Sequence, residues 1–440
     1  MTQHHTGLSD IRRITAPAQS PVNPARRPPR APGALDRAAL RVLMARMGNP
    51  SVEFVLWNGE TLSTSEDSPV ARVHIRDAGA LWRLLLDAEL YFGDDYTAGR
   101  IEIEGYFVEF LETIYRGMQA APRPGPTRRL LQTWLRRPRR NTLEAARDNI
   151  HHHYDLGNNF YKLWLDSEMQ YTCAYFTAEA MSIEEAQQAK MDHVCRKLEL
   201  KPGQTVVEAG FGWGALARHM AKKYGVKVRA YNISRQQVAF ARARAKAEGF
   251  DHLVEYLEDD YRNMRGEYDA FVSVGMLEHV GVENYPTLGA VARNALKENG
   301  RGLIHSIGRN VPGKMSPWIE RRIFPGAHPP CLSEMMNIFE PNGFSVLDVE
   351  NLRLHYAKTL ASWLERFEAN VDAVARETDP AFVRAWRLYL AGSLAAFTAG
   401  DLQLFQVVFA QGGSNEVPWT RWHMYQDAMS KDEAWKPATS

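Results

Sequence analysis

The sequence predicts an α/β protein: a Rossmann-like, doubly wound sheet with helical insertions, preceded by a small α+β domain. Three observations predict it. Thr205-Val-Val-Glu-Ala-Gly-Phe-Gly-Trp-Gly-Ala215 reads as a buried strand entering a glycine-rich turn and then a helix. From there to Ile307, apolar strands alternate with helical stretches, the pattern of a parallel sheet covered on both faces. Residues 36–118 have another rhythm, short strands and amphipathic helices around an Asn58-Gly59 hairpin turn.

Length and composition bound the reading. A chain of 440 residues predicts two or three domains, and 45% apolar residues can build their cores. Lys+Arg 53 against Asp+Glu 52 excludes a generally basic, nucleic-acid-binding surface. The cysteines, Cys173, Cys195 and Cys331, are too few for a disulfide framework or a zinc site, which points to a reducing compartment. No apolar run reaches the roughly 18–20 residues of a membrane-spanning helix, and no signal-peptide core stands at the N-terminus. The expectation is a cytoplasmic protein that can still sit on a membrane surface.

In chain order, residues 1–35, rich in Pro, Arg, Ala and Ser, read as a disordered tail. Its arginines can either touch an anionic surface or simply solubilise. The small domain follows: a helix over Ala38 to Met47, strands over Val52 to Trp57 and Val70 to Ile75, and an amphipathic helix over Asp77 to Asp87. A strand over Ile101 to Glu104 and a helix over Tyr106 to Gly117 close it, and no residue cluster in it signals chemistry. Residues 119–145 read as a linker, opened by repeated prolines. Its Arg128 to Arg140 segment sets arginines beside Leu130, Leu131, Trp134 and Leu135. That is the composition of an interfacial membrane segment, and equally of a solvated helix packing on its own domain.

Residues 146–430 read as one large domain. His151-His-His153 invites a metal reading, which fails because sequence neighbours point apart and no carboxylate–histidine pattern accompanies them. Asp192 to Leu198 reads as a helix. Strands are expected at Thr205 to Glu208, Val226 to Tyr231, Leu253 to Leu257, Tyr268 to Val274 and Arg301 to Ile307. Helices run from Ala215 to Tyr224 and, capped by Ser234, to Glu248. Pro312 to Pro330 reads as irregular; Phe344 to Asn351 extends the sheet; helices follow over Thr359 to Val374 and Pro380 to Phe397, then a last strand over Leu402 to Ala410.

Ligands of open α/β sheets bind beyond the carboxyl ends of the strands. That rule collects Glu208 and Gly210, Asn232, Asp260 with Tyr261, Glu278 with His279, and His305 with Ile307. The spacing Gly210-x-Gly212-x-Gly214 is not the dinucleotide GxGxxG and fits the tighter loop that binds S-adenosylmethionine. Asn232 stands where a nicotinamide fold carries an acidic residue, which lowers the oxidoreductase reading. Pattern alone leaves Glu278 as either a helix cap or a site residue, His305 as either a satisfied core histidine or a site residue, and Cys173 as a small buried hydrophobe.

Several motifs in order resemble one family. Val207-Glu-Ala-Gly-Phe-Gly-Trp-Gly214, His153-Tyr-Asp-Leu-Gly-Asn158, Gln170-Tyr-Thr-Cys-Ala-Tyr-Phe176, Val274-Gly-Met-Leu-Glu-His-Val-Gly281 and Asp401-Leu-Gln-Leu-Phe-Gln-Val-Val-Phe409 resemble the cyclopropane-fatty-acyl-phospholipid synthases, a group that includes the mycolic acid cyclopropane synthases. The likeness is strong over about 146–412, and residues 36–118 look like the small N-terminal domain of the phospholipid enzymes.

The resemblance implies a class I methyltransferase fold. It implies transfer of a methylene group from S-adenosylmethionine to a cis double bond of a phospholipid acyl chain. Cofactor contacts are implied at Tyr171, Thr172, Glu208, Gly210, Gly212, Asn232, Ile233, Gln237 and Tyr261, with no metal. A bicarbonate is implied at Cys173, Glu278, His305, the Ile307 backbone and Tyr356, with aromatic faces such as Tyr154, Tyr171, Tyr175 and Trp213 near a carbocation. The implied partner is an unsaturated membrane phospholipid, met by peripheral contact at the inner face of the membrane, and a homodimer is admitted. Arg128 to Arg140 and the small domain are the docking candidates. The family's Asp-Ile before the first glycine and Cys after it are replaced by Glu208, Ala209 and Phe211, which leaves the product open. The alternatives are a fatty-acyl C-methyltransferase making a methylene or methyl branch, and a lipid-binding protein with a degenerate site.

Overall fold

The computed structural model describes residues 30–63, 68–120 and 157–425. The tail before residue 30, most of the basic linker, His151 to His153 and Tyr154 lie outside the described residues.

The N-terminal unit is α1 (Ala34–Arg46), β1 (Glu53–Val55), β2 (Thr61–Ser63), β3 (Ala71–Ile75), α2 (Ala78–Thr97), β4 (Ile101–Gly105) and α3 (Phe107–Ala120). Its four strands lie in the order β2-β1-β3-β4, with β1 and β3 parallel. The Asn58-Gly59 hairpin is present, closed by Gly59 N–H on the Leu56 carbonyl at 2.8 Å. Helix α2 runs ten residues beyond the predicted end, through a break at Asp87 (φ −151°, ψ 91°). There the apolar period is interrupted, which is why the pattern alone stops.

The second unit begins with α4 (Gly157–Lys162) and α5 (Ile183–Lys197). It continues through β5 (Thr205–Ala209), α6 (Ala215–Tyr224), β6 (Lys227–Asn232), α7 (Arg235–Glu248), β7 (Val254–Glu258), β8 (Tyr268–Val274), α8 (Tyr285–Ala295) and β9 (Leu296–Gly308). After it come α9 (Pro317–Arg322), α10 (Leu332–Phe339), β10 (Phe344–Asn351), α11 (Arg353–Ala369), α12 (Val371–Glu377), α13 (Pro380–Ala399), β11 (Gln403–Gln411) and α14 (Trp422–Tyr425).

These form a seven-stranded sheet in the order β10-β11-β9-β8-β5-β6-β7. Strands β5 to β9 pair in parallel, whereas β11 slots between β9 and β10 antiparallel to both, so the sheet is mixed. The order reverses beside β5, which opens the crevice at its carboxyl end.

Several predicted elements are corrected. Helix α5 begins nine residues before Asp192, under a capping box of Ser182 and Glu185. It buries Gln187, Lys190 and His193, polar residues that hide its apolar period. The stretch read as irregular holds α9, entered through Pro317 at its first turn. The predicted helix over Thr359 to Val374 is two helices broken at Asn370, the first starting at Arg353. Ser234 occupies the N-cap position of α7 without a side-chain capping bond, and its backbone N–H closes a turn on Asn232 Oδ1 at 3.1 Å.

The two units share one apolar core. Buried Leu43, Leu84, Phe107 and Phe110 join Trp363, Leu390 and Phe397 in the same cluster. Helix α13 is started by Asp379, whose Oδ1 accepts from the Phe382 N–H at 2.7 Å, and stopped by Gly400 in the left-handed region. It ties the units together: Arg384 donates to the Tyr96 and Ile101 carbonyls at 2.6 and 3.1 Å, and Thr398 to Glu112 at 2.7 Å. No helix among the described residues is long and apolar enough to cross a membrane.

Candidate active site

The β5–α6 turn is built from left-handed backbone: Gly210, Gly212 and Gly214 have φ of 79°, 55° and 82°. A Cβ on Gly214 would meet the Tyr256 hydroxyl at 2.6 Å and Ala241 at 2.8 Å, so close packing requires glycine there. A Cβ on Gly212 would meet nothing within 4 Å, because this glycine faces open space. That space is a cavity of about 120 Å³ lined by Tyr171, Thr172, Lys190, Glu208, Gly210, Phe211, Gly212, Trp213, Asn232 and Gln237.

Asn232 organises the rim. Its Nδ2 donates to Gln237 Oε1 at 2.8 Å and to the Gly212 carbonyl at 3.3 Å. Phe211 packs its ring on Tyr256, centroids 4.7 Å apart, and so fills the floor. Ile233 and Tyr261 belong to the same strand ends but do not line this cavity. Tyr261 is buried in a short turn after β7, with Arg262 over its ring at 5.3 Å.

A second cavity, about 490 Å³, adjoins the first and shares Tyr171, Thr172, Gly275 and His279 with it. Its walls are mostly apolar and come from both units. Leu43, Phe54, Leu84, Phe92, Phe110 and Ile114 come from the N-terminal unit; Trp318, Phe324, Leu360, Leu388 and Leu404 come from the second. The absence of a chemical motif in the N-terminal sequence concealed this role, which needs only apolar side chains on the inner faces of α1 to α3.

Cys173, Glu278, His305, Ile307 and Tyr356 all line this second cavity, so the structure gathers the five residues in one place. Glu278 follows β8 in a short 3₁₀ turn. The Ile307 N–H donates to Glu278 Oε1 at 2.6 Å, so that N–H points to the carboxylate and not into the cavity. Glu278 Oε2 is buried without a hydrogen-bond partner, and burial pushes its carboxyl up to about 7.

His305 is also buried. The Gln406 amide, its cross-strand neighbour on β11, lies 3.0 Å from Nδ1, while Nε2 has no partner. An amide N–H only donates, so Nδ1 accepts and the neutral ring carries its proton on Nε2. Burial holds His305 well below the ordinary range and keeps it neutral. The Cys173 thiol is turned to the Ala174 carbonyl at 3.1 Å, and burial pushes it up, so it is a thiol and not a thiolate.

An orphaned acceptor on Glu278 and an orphaned donor on His305 thus face one cavity. They fit a small species with both an anionic oxygen and a hydroxyl, as bicarbonate has. The glycine loop fits a nucleoside ligand without phosphates, since Glu208 stands buried beside it.

Of the three aromatic expectations that fall on described residues, one differs. Tyr171 and Trp213 line the cavities, and Tyr171 shares a 2.6 Å hydroxyl contact with Tyr389. Tyr175 does not; its ring stacks on His193 at 4.2 Å and His355 at 4.8 Å. Lys190 and Gln406 escaped the sequence reading, whereas the strand-end rule had collected His279, which lines both cavities.

Fold and site together define a class I methyltransferase. A family model described as mycolic acid cyclopropane synthetase matches residues 141–407, and one described as a domain of unknown function (DUF7884) matches 39–122. The chain belongs to the mycolic acid cyclopropane synthetase family. It is 35% identical over 389 residues to a probable fatty acid methyltransferase of Pseudomonas putida, covering 84% of this chain and 95% of that one. It is 42% identical over 264 residues to the cyclopropane-fatty-acyl-phospholipid synthase of Escherichia coli (strain K12), covering 60% and 68%. The solved structure of mycolic acid cyclopropane synthase CmaA1 complexed with SAH and CTAB superposes with a TM-score of 0.57 at 30% identity, covering 60% and 97%. That of MmaA2 from Mycobacterium tuberculosis gives 0.56 at 29%, covering 60% and 98%.

Proposed function

We propose that the chain converts a cis double bond of an unsaturated phospholipid acyl chain into a cyclopropane ring. The observation that carries this reading is the junction of the two cavities. An apolar cavity of about 490 Å³ meets the glycine-loop cavity at Tyr171, Thr172 and Gly275, with Glu278 and His305 at its wall. When bound, S-adenosylmethionine supplies the methyl group and bicarbonate the base.

The residues do the rest. An alkene is a poor nucleophile, so the apolar walls must hold the chain in line with the glycine-loop cavity. Addition of the methyl to one alkene carbon leaves a cation on the other; loss of a methyl proton closes the ring. Walls contributed by both units exclude the water that would trap the cation, and the Tyr171 and Trp213 faces stabilise it. Glu278, through its unpartnered Oε2, and His305, through its unpartnered Nε2–H, are the residues that would hold the anion, which would supply the base for the proton to be removed. Cys173 and Tyr356 complete that wall.

Residues 36–118 serve as the small lipid-associated domain and 146–430 as the catalytic domain. Exposed Leu35, Val42, Leu86 and Met118 on the N-terminal helices support peripheral contact with a membrane. A homodimer is a separate expectation, which sedimentation at micromolar concentration decides.

Expression in cells that make unsaturated lipids tests the reading. Fatty-acid methyl esters should gain one CH₂ unit and co-migrate with a cyclopropane standard; unchanged esters would refute it. The name and near-complete coverage of the Pseudomonas putida relative favour a second reading, a C-methyltransferase making a branch. Chromatographic separation of ring from branch decides between them.

A further inference from the structure

His193, on α5, is fully buried and faces two acceptors. Its Nδ1 lies 3.0 Å from the Met424 carbonyl and its Nε2 2.7 Å from Glu350 Oε2. A carbonyl oxygen only accepts. So does Glu350, since Lys197 Nζ donates to the same Oε2 at 2.5 Å. Burial works to raise that carboxyl, but the His193 hydrogen bond and the Lys197 charge outweigh it and hold it down to about 2. Both ring nitrogens of His193 therefore donate, which takes a hydrogen on each. The other polar groups around the ring are Arg196 on its own helix, Asp348 on β10, His355 behind Tyr175 and Tyr425 on α14.

Each contact of the ring leads to a different element. Met424 belongs to α14, outside the residues 141–407 that the family model matches. Arg196 Nε donates to the same carbonyl at 3.0 Å, and Arg421 fastens this segment to Asp348 at 2.6 Å. Glu350 pairs across the sheet with Gln406, and Gln406 with His305, so the three side chains share the sheet face that His193 meets. The flat of the ring lies on Tyr175, centroids 4.2 Å apart, and Tyr175 lies in turn on His355 at 4.8 Å. Tyr175 stands outside the cavity, but Cys173, two residues before it, lines the wall.

We propose that His193 is a positioning residue: it fastens the C-terminal segment to the sheet and, through the face of Tyr175, holds residues 173–176 against the long cavity. Its bearing on turnover rests on the reading above that this wall carries the chemistry. Thr172 does not depend on it. Lys190 Nζ donates to the Thr172 hydroxyl at 2.9 Å and Gln187 Nε2 to its carbonyl at 2.8 Å. The glycine-loop cavity therefore keeps its shape when His193 is replaced, and the wall at Cys173 does not.

The test uses the full chain. NMR of histidine-labelled wild type, assigned by the signals lost in His193→Gln, should show two ring N–H protons for His193; a single one would overturn the inference. Hydrogen–deuterium exchange of peptides spanning 171–176 and 412–425 should be about tenfold or more faster in His193→Gln than in wild type, the size of one charge-assisted hydrogen bond, with the strands β5 to β8 unchanged. His193→Asn, which keeps a donor for Met424 but no ring for Tyr175, should restore the second peptide and not the first. In His193→Gln, kcat should fall severalfold while the affinity for S-adenosylhomocysteine stays at the wild-type value. Unchanged exchange in 171–176 overturns the inference. So does acceleration spread over the whole chain, which would make His193 merely part of the core. Should the His193 variants fail to fold, Tyr175→Leu, which removes the stacked ring and leaves His193, decides: unchanged exchange in 171–176 and unchanged kcat overturn the positioning role. Absence of turnover in wild type overturns the proposed function instead, and the exchange rates still judge His193.

Discussion

Ile307 holds Glu278 by one oxygen: its backbone N–H donates to Oε1 at 2.6 Å, and Oε2 is left buried and unpartnered. One oxygen thus fixes the carboxylate and the other is free to work. Glu278→Gln keeps an acceptor for Ile307 but replaces part of the free face with an N–H donor. Product formation should fall by about 10²–10⁴-fold, the range for a lost acid–base or orienting group, while S-adenosylhomocysteine binds as before by calorimetry. Retained turnover would remove Glu278 from the chemistry.

The same variant predicts a pH-dependent stability. Burial raises Glu278 from its ordinary 4.5 to about 7. A carboxyl raised on folding contributes stability that is full below its unfolded value and is lost as pH rises through the folded one. Wild type should therefore become less stable than Glu278→Gln between pH 5 and 8.5, by about 2–3 kcal/mol at the upper end. Chemical denaturation of the two proteins at both pH values checks it. Parallel profiles would contradict a buried, raised carboxyl.

Gln406 is held in register with His305 by the antiparallel pairing of β11 and β9, and sets the ring through Nδ1 at 3.0 Å. Gln406→Met keeps volume and removes that anchor. Turnover should drop about tenfold or more, the cost of a misoriented imidazole, with cofactor affinity unchanged; a loss of cofactor affinity instead would mean that Gln406 shapes the glycine-loop side.

The glycine loop was legible because its conformation demands glycine at fixed spacing. So were the strand ends, because buried parallel strands read as apolar runs. Lys190 was not, since a lysine inside a helix reads as a solvated face until a tertiary neighbour buries it. Gln406 sits in an apolar run whose partner strand lies about a hundred residues away in sequence. The role of the N-terminal unit was hidden for a different reason. Leu84, Phe110 and Ile114 look like any core until the second unit leaves a cavity against them.

Two glycines of one loop should fail differently. Gly214→Ala drives a Cβ into Tyr256 and Ala241 at φ 82° and should cost about 2–4 kcal/mol of stability. Gly212→Ala meets no protein atom within 4 Å and should cost only about 1 kcal/mol in left-handed strain. Its Cβ points into the cavity, however, so cofactor affinity should fall. Thermal melts paired with calorimetry separate the two. Equal cofactor affinity in Gly212→Ala and wild type would mean that the ligand does not approach this turn.

The N-terminal wall makes the last prediction. Ile114, on α3, is partly buried and lines the long cavity together with Leu360 and Leu388 of the second unit. Ile114→Trp adds a ring to that wall, on a helix held to α13 through the Glu112–Thr398 hydrogen bond. If the cavity receives the acyl chain, the added volume excludes carbon atoms that must pass there, since interiors close to packing density have no room to yield. Conversion of long unsaturated chains should then fall severalfold more than that of short ones. Cofactor binding, on the far side of Tyr171 and Thr172, should stay at the wild-type value. A uniform loss across chain lengths would mean that the small domain only supports the fold, and an unchanged rate would mean that the chain takes another path.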